Sequence, residues 1–255
     1  MLLSIIQLFI AISVGLILYL LSRDKGQTEP RPIIWAAFGF GILALPIASL
    51  GEGQLGIDSI ESLRTAPINH LAMVSLGVGV IEELAKFLPL ALFIYKKGYF
   101  NEHTDGILYF ATAGIGFGLP ENILYTLGNG AGTGVVRLFL TPVFHAATTA
   151  LIGYYLARTK VEKRSFAGPA LALGVMILAH GLYDFGLLSG KASLALLSLG
   201  ITAGLSGALF YYVTVAREDD EALGLSVVGT NRFCRQCGYP NPHKRLYCSQ
   251  CGKHA

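Results

Sequence analysis

The chain predicts an all-α, polytopic membrane protein of about seven transmembrane helices, closed by a small C-terminal zinc ribbon. Three observations carry this. Of the 255 residues, 53% are hydrophobic and only 14% charged, with a mean hydropathy of +0.57; a soluble domain has about 25% charged residues. Apolar runs of the roughly 20 residues that cross a bilayer recur along most of the length. All four cysteines lie near the end, as Cys234/Cys237 and Cys248/Cys251. The net charge of +3 is too small to argue for nucleic acid as a partner.

The expected spans are 2–22, 33–50, 68–95, 105–128, 135–157, 167–188 and 192–216. The first sits where a signal peptide would. It lacks a basic leading region and a small-residue cleavage site, and Arg23 and Lys25 follow it, so it reads as an uncleaved anchor. Basic loops alternate with the spans. Arg23, Lys25 and Arg31 follow the first span, Lys96 and Lys97 the third, and Arg158, Lys160, Lys163 and Arg164 the fifth. The other side offers only Arg64, Arg137 and Lys191. Cytoplasmic loops hold the excess of Lys and Arg, which puts the N-terminus outside and the tail in the cytoplasm. Residues 1–216 form the membrane domain, 217–233 a linker, and 234–255 the zinc-ribbon module.

Ionisable groups lie inside these apolar runs, where each costs roughly 2.5–3.5 kcal/mol on insertion scales. The third span holds Glu82, Glu83 and Lys86. Lys86 stands four and three residues after the two glutamates, so it can neutralise one and leave the other for work. The fourth span holds Glu121 and Asn122 just after Pro120, which breaks the helix and can aim the carboxylate inward. The fifth holds Arg137 and His145, and the sixth His180 and Asp184 on one helix face. At about 1.5 Å per residue, Glu83, Glu121, His145 and His180 lie roughly 18–24 Å above the cytoplasmic ends of their helices, in one slab. The bland alternatives are a packing ion pair on the third span, a capped break at Pro120 and satisfied core histidines. Two carboxylates against one lysine exceed what packing needs.

In order and spacing, Glu82-Glu83 with Lys86, Glu121-Asn122, Arg137 with His145, and His180 with Asp184 resemble the PrsW family of intramembrane proteases. That family is similar in motif layout to the CAAX prenyl endopeptidases. The resemblance spans roughly residues 70–190 and implies hydrolysis of a peptide bond in a membrane-associated protein, such as an anti-sigma factor or another regulator, within or near a bacterial or archaeal cell membrane. The cysteine tail is no part of the shared core.

Hydrolysis needs an activated water, a polarised carbonyl and a proton for the leaving amine. Two histidines and a carboxylate form a known hydrolytic zinc set. Glu121, His145 and His180 are expected to supply it, with Asp184 orienting His180 and either Glu82 or Glu83 as general base. A metal-free version, with a glutamate activating water and the histidines stabilising the oxyanion, stays open. The paired Cys-x-x-Cys spacing and cytoplasmic placement point to one structural zinc on Cys234, Cys237, Cys248 and Cys251. Such a ribbon could touch a protein partner. The competing functions are an ion or proton transporter using the same midplane groups, and a silent sensor signalling through the ribbon.

Overall fold

The computed structural model describes residues 1–24, 29–56, 60–225, 231–233, 237, 240–242 and 251, with backbone alone at 60, 61, 231–233 and 240–242. Its helices are α1 (Leu2–Arg23), α2 (Arg31–Glu52), the short α3 (Ile60–Thr65), α4 (Ile68–Phe93), α5 (His103–Asn129), α6 (Ala131–Val161), α7 (Ala167–Leu188) and α8 (Ala192–Ala222). The seven long ones follow the seven expected spans one for one. Six, all but α4, are long and apolar enough by length and composition to cross a membrane; α4 carries Glu82, Glu83 and Lys86. The protein is therefore an all-helical polytopic membrane protein.

Two helices form the centre. Every residue from His103 to Gly118 of α5 is buried, and α6 is nearly as enclosed. Lipid gives helices no hydrophobic drive to associate, so close packing of small residues must do that work. Gly114 meets the backbone carbonyl of His145, a distance that leaves no room for a Cβ, and so brings α5 against the histidine turn of α6. On the opposite flank, a Cβ on Gly79 of α4 would lie 2.8 Å from the Ile177 carbonyl oxygen of α7, one turn before His180. These two contacts set the histidines' height. Around the centre, α1, α2, α7 and α8 each bury one stripe and expose another rich in Leu, Ile and Phe, such as Leu18, Leu43, Leu178 and Leu199. A bilayer is the solvent such surfaces need.

Two details depart from the sequence expectation. The segment from Arg217 to Ala222, expected as linker, continues α8. Tertiary contacts hold it: Asp219 accepts from the Tyr154 hydroxyl at 2.7 Å, and Asp220 accepts from the backbone N–H groups of His103 and Thr104 at 2.7 and 3.0 Å. The tail holds a short antiparallel pair, β1 (Asn231–Phe233) and β2 (Pro240–Pro242), in the register Asn231 to Pro242. In sequence these strands flank Cys234 and Cys237. Cys237 and Cys251 are exposed turn residues, while Cys234 and Cys248 lie outside the described residues, so the four-cysteine zinc site lies outside them too.

Candidate active site

The four motif-bearing helices bring their polar groups to one buried cluster. From α4, the Lys86 ammonium lies 2.8 Å from Glu83 Oε1 and 3.4 Å from Glu82 Oε2, so it touches both carboxylates rather than one. It also lies 3.2 Å from His145 Nδ1 and 4.5 Å over the Phe117 ring. From α5, Glu121 Oε1 meets Arg137 Nη2 of α6 at 2.7 Å, and Asn122 Oδ1 accepts from Arg137 Nε at 2.7 Å and from the Thr141 hydroxyl. The Arg137 guanidinium stacks 4.1 Å over Tyr125. Glu83, His180 and His145 are 0%, 1% and 2% exposed, which excludes bulk water from the cluster.

The histidines are held by carboxylates on their outer nitrogens. His180 Nδ1 lies 2.7 Å from Glu83 Oε1, and His145 Nε2 lies 2.8 Å from Glu121 Oε2. A carboxylate only accepts, so each of those nitrogens carries the hydrogen and each neutral ring keeps its lone pair on the other side. His145 Nδ1 meets the Lys86 ammonium at 3.2 Å, and both inner nitrogens lie near one carboxylate oxygen. Glu82 Oε2 is 3.5 Å from His180 Nε2 and 3.9 Å from His145 Nδ1. Asp184 Oδ2 is also 3.5 Å from His180 Nε2. The ring centroids are 5.5 Å apart. Phe144 stacks on Tyr183 with centroids 4.1 Å apart and stands edge-on to both imidazoles, fixing their planes.

This differs from the expected arrangement in two roles. Glu82, not Glu121, shares a metal-sized space with His145 and His180; the ligand atoms of that trio all lie within 4.8 Å of one another. Glu121 is committed to Arg137 and to the outer nitrogen of His145. Glu83 rather than Asp184 grips the outer nitrogen of His180. A helix places Glu82 and Glu83 about 100° apart, so only one can face the histidine lone pairs while the other lies beside the ring. The hydroxyl of Thr141 and the rings of Tyr125, Phe144 and Tyr183 also line the cluster and went unassigned from sequence. Thr141 had a signal, since it precedes His145 by one helical turn.

Charge tests whether the residues suit a cation. The carboxyl groups of Glu82, Glu83, Glu121 and Asp184 share the cluster with Lys86 and Arg137, so acidic groups outnumber basic ones by two. Glu83 Oε2 and Asp184 Oδ2 are buried without a hydrogen-bond partner. Two imidazole nitrogens and a carboxylate within 4.8 Å of one another, with acidic groups in surplus, fit a divalent metal with mixed nitrogen and oxygen ligands. An apolar cleft of about 530 Å³, lined by Leu45, Pro46, Ser49, Leu50 and Leu124, lies between α2 and α5; Leu124 is one turn beyond Glu121.

The family described as PrsW family intramembrane metalloprotease matches residues 29–216. The protein named Protease PrsW of Bacillus subtilis is 32% identical over 185 residues, covering 71% of this chain and 82% of that protein. Its namesake in Geobacillus kaustophilus is 32% identical over 189 residues, 73% and 80% of the two chains. That of Oceanobacillus iheyensis is 32% identical over 198 residues, 76% and 87%. No solved structure matches the chain. The chain belongs to the PrsW family and is an intramembrane protease; membership in a protease family does not favour the transporter or sensor readings.

Proposed function

We propose that this PrsW-family protease hydrolyses a peptide bond of a membrane-associated regulatory protein, with Glu82, His145 and His180 holding a divalent metal, such as zinc, and Glu83 acting as general base. The supporting observation is the paired anchoring of the histidines, which brings His180 Nε2 and His145 Nδ1 within 3.5 and 3.9 Å of Glu82 Oε2. Such a metal would polarise the scissile carbonyl and acidify water. The chain's own residues do the rest. Glu83 Oε2, buried and unpartnered, takes a proton from water, while Lys86 and His180 hold Oε1 and keep the carboxylate ionised and aimed. The water oxygen adds to the carbonyl carbon, and the proton on Glu83 then passes to the nitrogen as the C–N bond breaks. Glu121 positions His145, Arg137 and Asn122 hold Glu121 in place, and Asp184 adds negative charge beside His180. The cleft between α2 and α5 gives an apolar substrate segment a path that ends one turn from Glu121.

Metal analysis of purified chain lacking the tail tests this. One divalent metal per chain is expected, lost in His145→Ala and in His180→Ala together with cleavage. Cleavage that survives removal of all metal would instead favour the glutamate-and-histidine version without it. Retained cleavage in both Glu82→Ala and Glu83→Ala would overturn the assignment altogether.

The placement of basic loops supports an outside N-terminus and a cytoplasmic tail. Reporter fusions after Lys97 and Arg164 should read as cytoplasmic and one at Gly130 as external; a cytoplasmic signal at Gly130 reverses the scheme. The cysteine spacing supports one structural zinc on Cys234, Cys237, Cys248 and Cys251. A peptide of residues 230–255 should order on binding one zinc, because so short a segment cannot bury an adequate core, and should not do so after Cys248→Ser.

A further inference from the structure

One turn past His180, α7 carries a polar group that the proposed chemistry has not used. Tyr183 is 2% exposed, and its hydroxyl is buried without a hydrogen-bond partner. A buried tyrosine ordinarily places its O–H on an acceptor, because an unmet one costs free energy. Tyr154, buried to the same degree, donates to Asp219 at 2.7 Å. The Tyr183 ring is not free to turn toward a partner. It stacks on Phe144 with centroids 4.1 Å apart and planes at 23°, and it stands 6.4 Å from the His180 ring at 73°. The Ser198 hydroxyl of α8 donates to the Tyr183 backbone carbonyl at 2.7 Å, which pins this turn of α7. The hydroxyl feels the charges of Arg137, Asp184, Glu121 and Glu82, which come from α6, α7, α5 and α4. An atom within reach of charged groups on four helices lies among them, inside the cluster.

Other donors of the cluster are engaged. Lys86 holds Glu82 and Glu83, Arg137 holds Glu121 and Asn122, Thr141 donates to Asn122, and the outer nitrogens of the histidines meet Glu83 and Glu121. The Tyr183 hydroxyl holds none of these groups. A donor kept rigid and unmet suits a charge that is absent at rest and develops during the reaction. Hydrolysis supplies one, because water adding to a peptide carbonyl turns its oxygen into an oxyanion. An O–H already aimed at that oxygen stabilises the transition state more than the substrate. We infer that the Tyr183 hydroxyl is a catalytic donor, giving its hydrogen bond to the oxygen of the scissile carbonyl as negative charge gathers there. The proton stays on the tyrosine throughout. The water oxygen adds to carbon, the C=O electron pair moves to oxygen, and it returns as the C–N bond breaks. This role, which rests on the hydrolytic reading of the site proposed above, is the same whether or not a metal also polarises the carbonyl.

Tyr183→Phe keeps the ring and its stack on Phe144 and removes only the oxygen. Full-length protein in detergent is assayed on a membrane protein that the unsubstituted chain cuts and the Glu83→Ala chain does not. In Tyr183→Phe, kcat should fall about 10²–10³-fold, with KM and bound-metal content little changed. The melting temperature should hold or rise, since the variant loses an unmet buried hydroxyl. A tyrosine that only supports the fold predicts the reverse, a lower melting temperature with kcat per folded chain intact. A phosphinic analogue of the cleaved sequence, tetrahedral and anionic like the carbon after water adds, should bind Tyr183→Phe at least about tenfold more weakly. The product peptide should bind both chains alike. Normal kcat in Tyr183→Phe, or equal weakening of product and analogue, overturns the tyrosine's role and leaves the site of Glu82, His145 and His180 standing. Normal cleavage in His145→Ala and His180→Ala would sink the site itself, and the tyrosine's role with it.

Discussion

Two clusters of the same residue types lie at different heights of the central helix pair, one at the start of α5 and one in its second half beside the middle of α6, and they behave in opposite ways. At the start of α5, His103 binds Asp220 through Nδ1 at 2.7 Å and Glu162 through Nε2 at 3.1 Å. Asp220 caps two backbone N–H groups and the Thr104 hydroxyl, and Glu162 is held by Arg158 and Arg164. Both imidazole nitrogens are used, and His103, Glu162 and Asp219 lie near enough to look like a metal site. In the mid-helix cluster each histidine is anchored by a carboxylate on its outer nitrogen, while the inner nitrogen of His145 meets Lys86 at 3.2 Å and that of His180 lies 3.5 Å from Glu82, and the carboxyl groups outnumber the cations. The first is built as a clasp, and the second is the proposed reaction centre. Residue identity does not separate them; unmet lone pairs and uncompensated charge do.

The largest effect should come from the open cluster. Glu82→Ala, His145→Ala or His180→Ala should lower cleavage of a confirmed substrate by at least about a thousandfold, about 4 kcal/mol of transition-state stabilisation. The check is a steady-state assay on protein that remains membrane-inserted. Equal loss from His103→Ala would erase the distinction between the clusters. Next, Glu121→Ala strands the Arg137 guanidinium in a buried setting, which costs about 3–5 kcal/mol. Its melting temperature should fall well below that of Glu121→Ala combined with Arg137→Met, measured in the same detergent. The gentler Glu121→Gln should lower metal affinity about 10–100-fold through loss of the charge on His145.

Asp220→Ala probes the closed cluster. It removes the side chain capping α5 and should cost about 1–3 kcal/mol of stability. Cleavage by the folded fraction should remain near normal, and an activity loss exceeding the loss of folded protein would mean that the clasp contributes to chemistry. The smallest effect is expected in acid. Hydrogen bonds from Arg158, Arg164 and His103 hold the Glu162 carboxyl down to about 2, against an ordinary value of 4.5. A depressed carboxylate stabilises the fold above its unfolded pKa, and the contribution fades as pH falls through the folded one. Pepsin should therefore cut the end of α6 progressively faster between about pH 4.5 and 2, relative to a Glu162→Gln chain digested alongside it.

Much of this was legible in the residues because the bilayer imposes a simple rule. Every backbone polar group must be satisfied within a helix, so runs of apolar residues become helices of predictable length. The long helices begin and end within about four residues of the expected spans, except that α8 runs on to Ala222. The same rule makes Glu82, Glu83, Glu121, His145 and His180 conspicuous, since a group costly in lipid stands out against Leu and Val. Where lipid no longer rules, the reading weakened. Arg217 to Ala222 looked like a linker because its charges suit water, yet its aspartates reach back to Tyr154 and the start of α5.

By itself the sequence determined the fold class, the helix set, the group of residues that meet and the protease family they belong to. These follow from hydropathy, spacing and motif order, which are properties of the chain. Only the tertiary structure decided which carboxylate sits where. Glu82 and Glu83 are adjacent and chemically identical, and nothing local tells them apart. Their roles split because α4 packs against α7 through Gly79, which rotates one carboxylate toward the histidine lone pairs and the other onto the back of the His180 ring. Likewise Glu121 is drawn from the expected ligand set because Arg137, fifteen residues past its neighbour Asn122, returns on α6 to claim it. A rotation about a helix axis is set by the neighbouring helices, so the assignment of roles belongs to the packing.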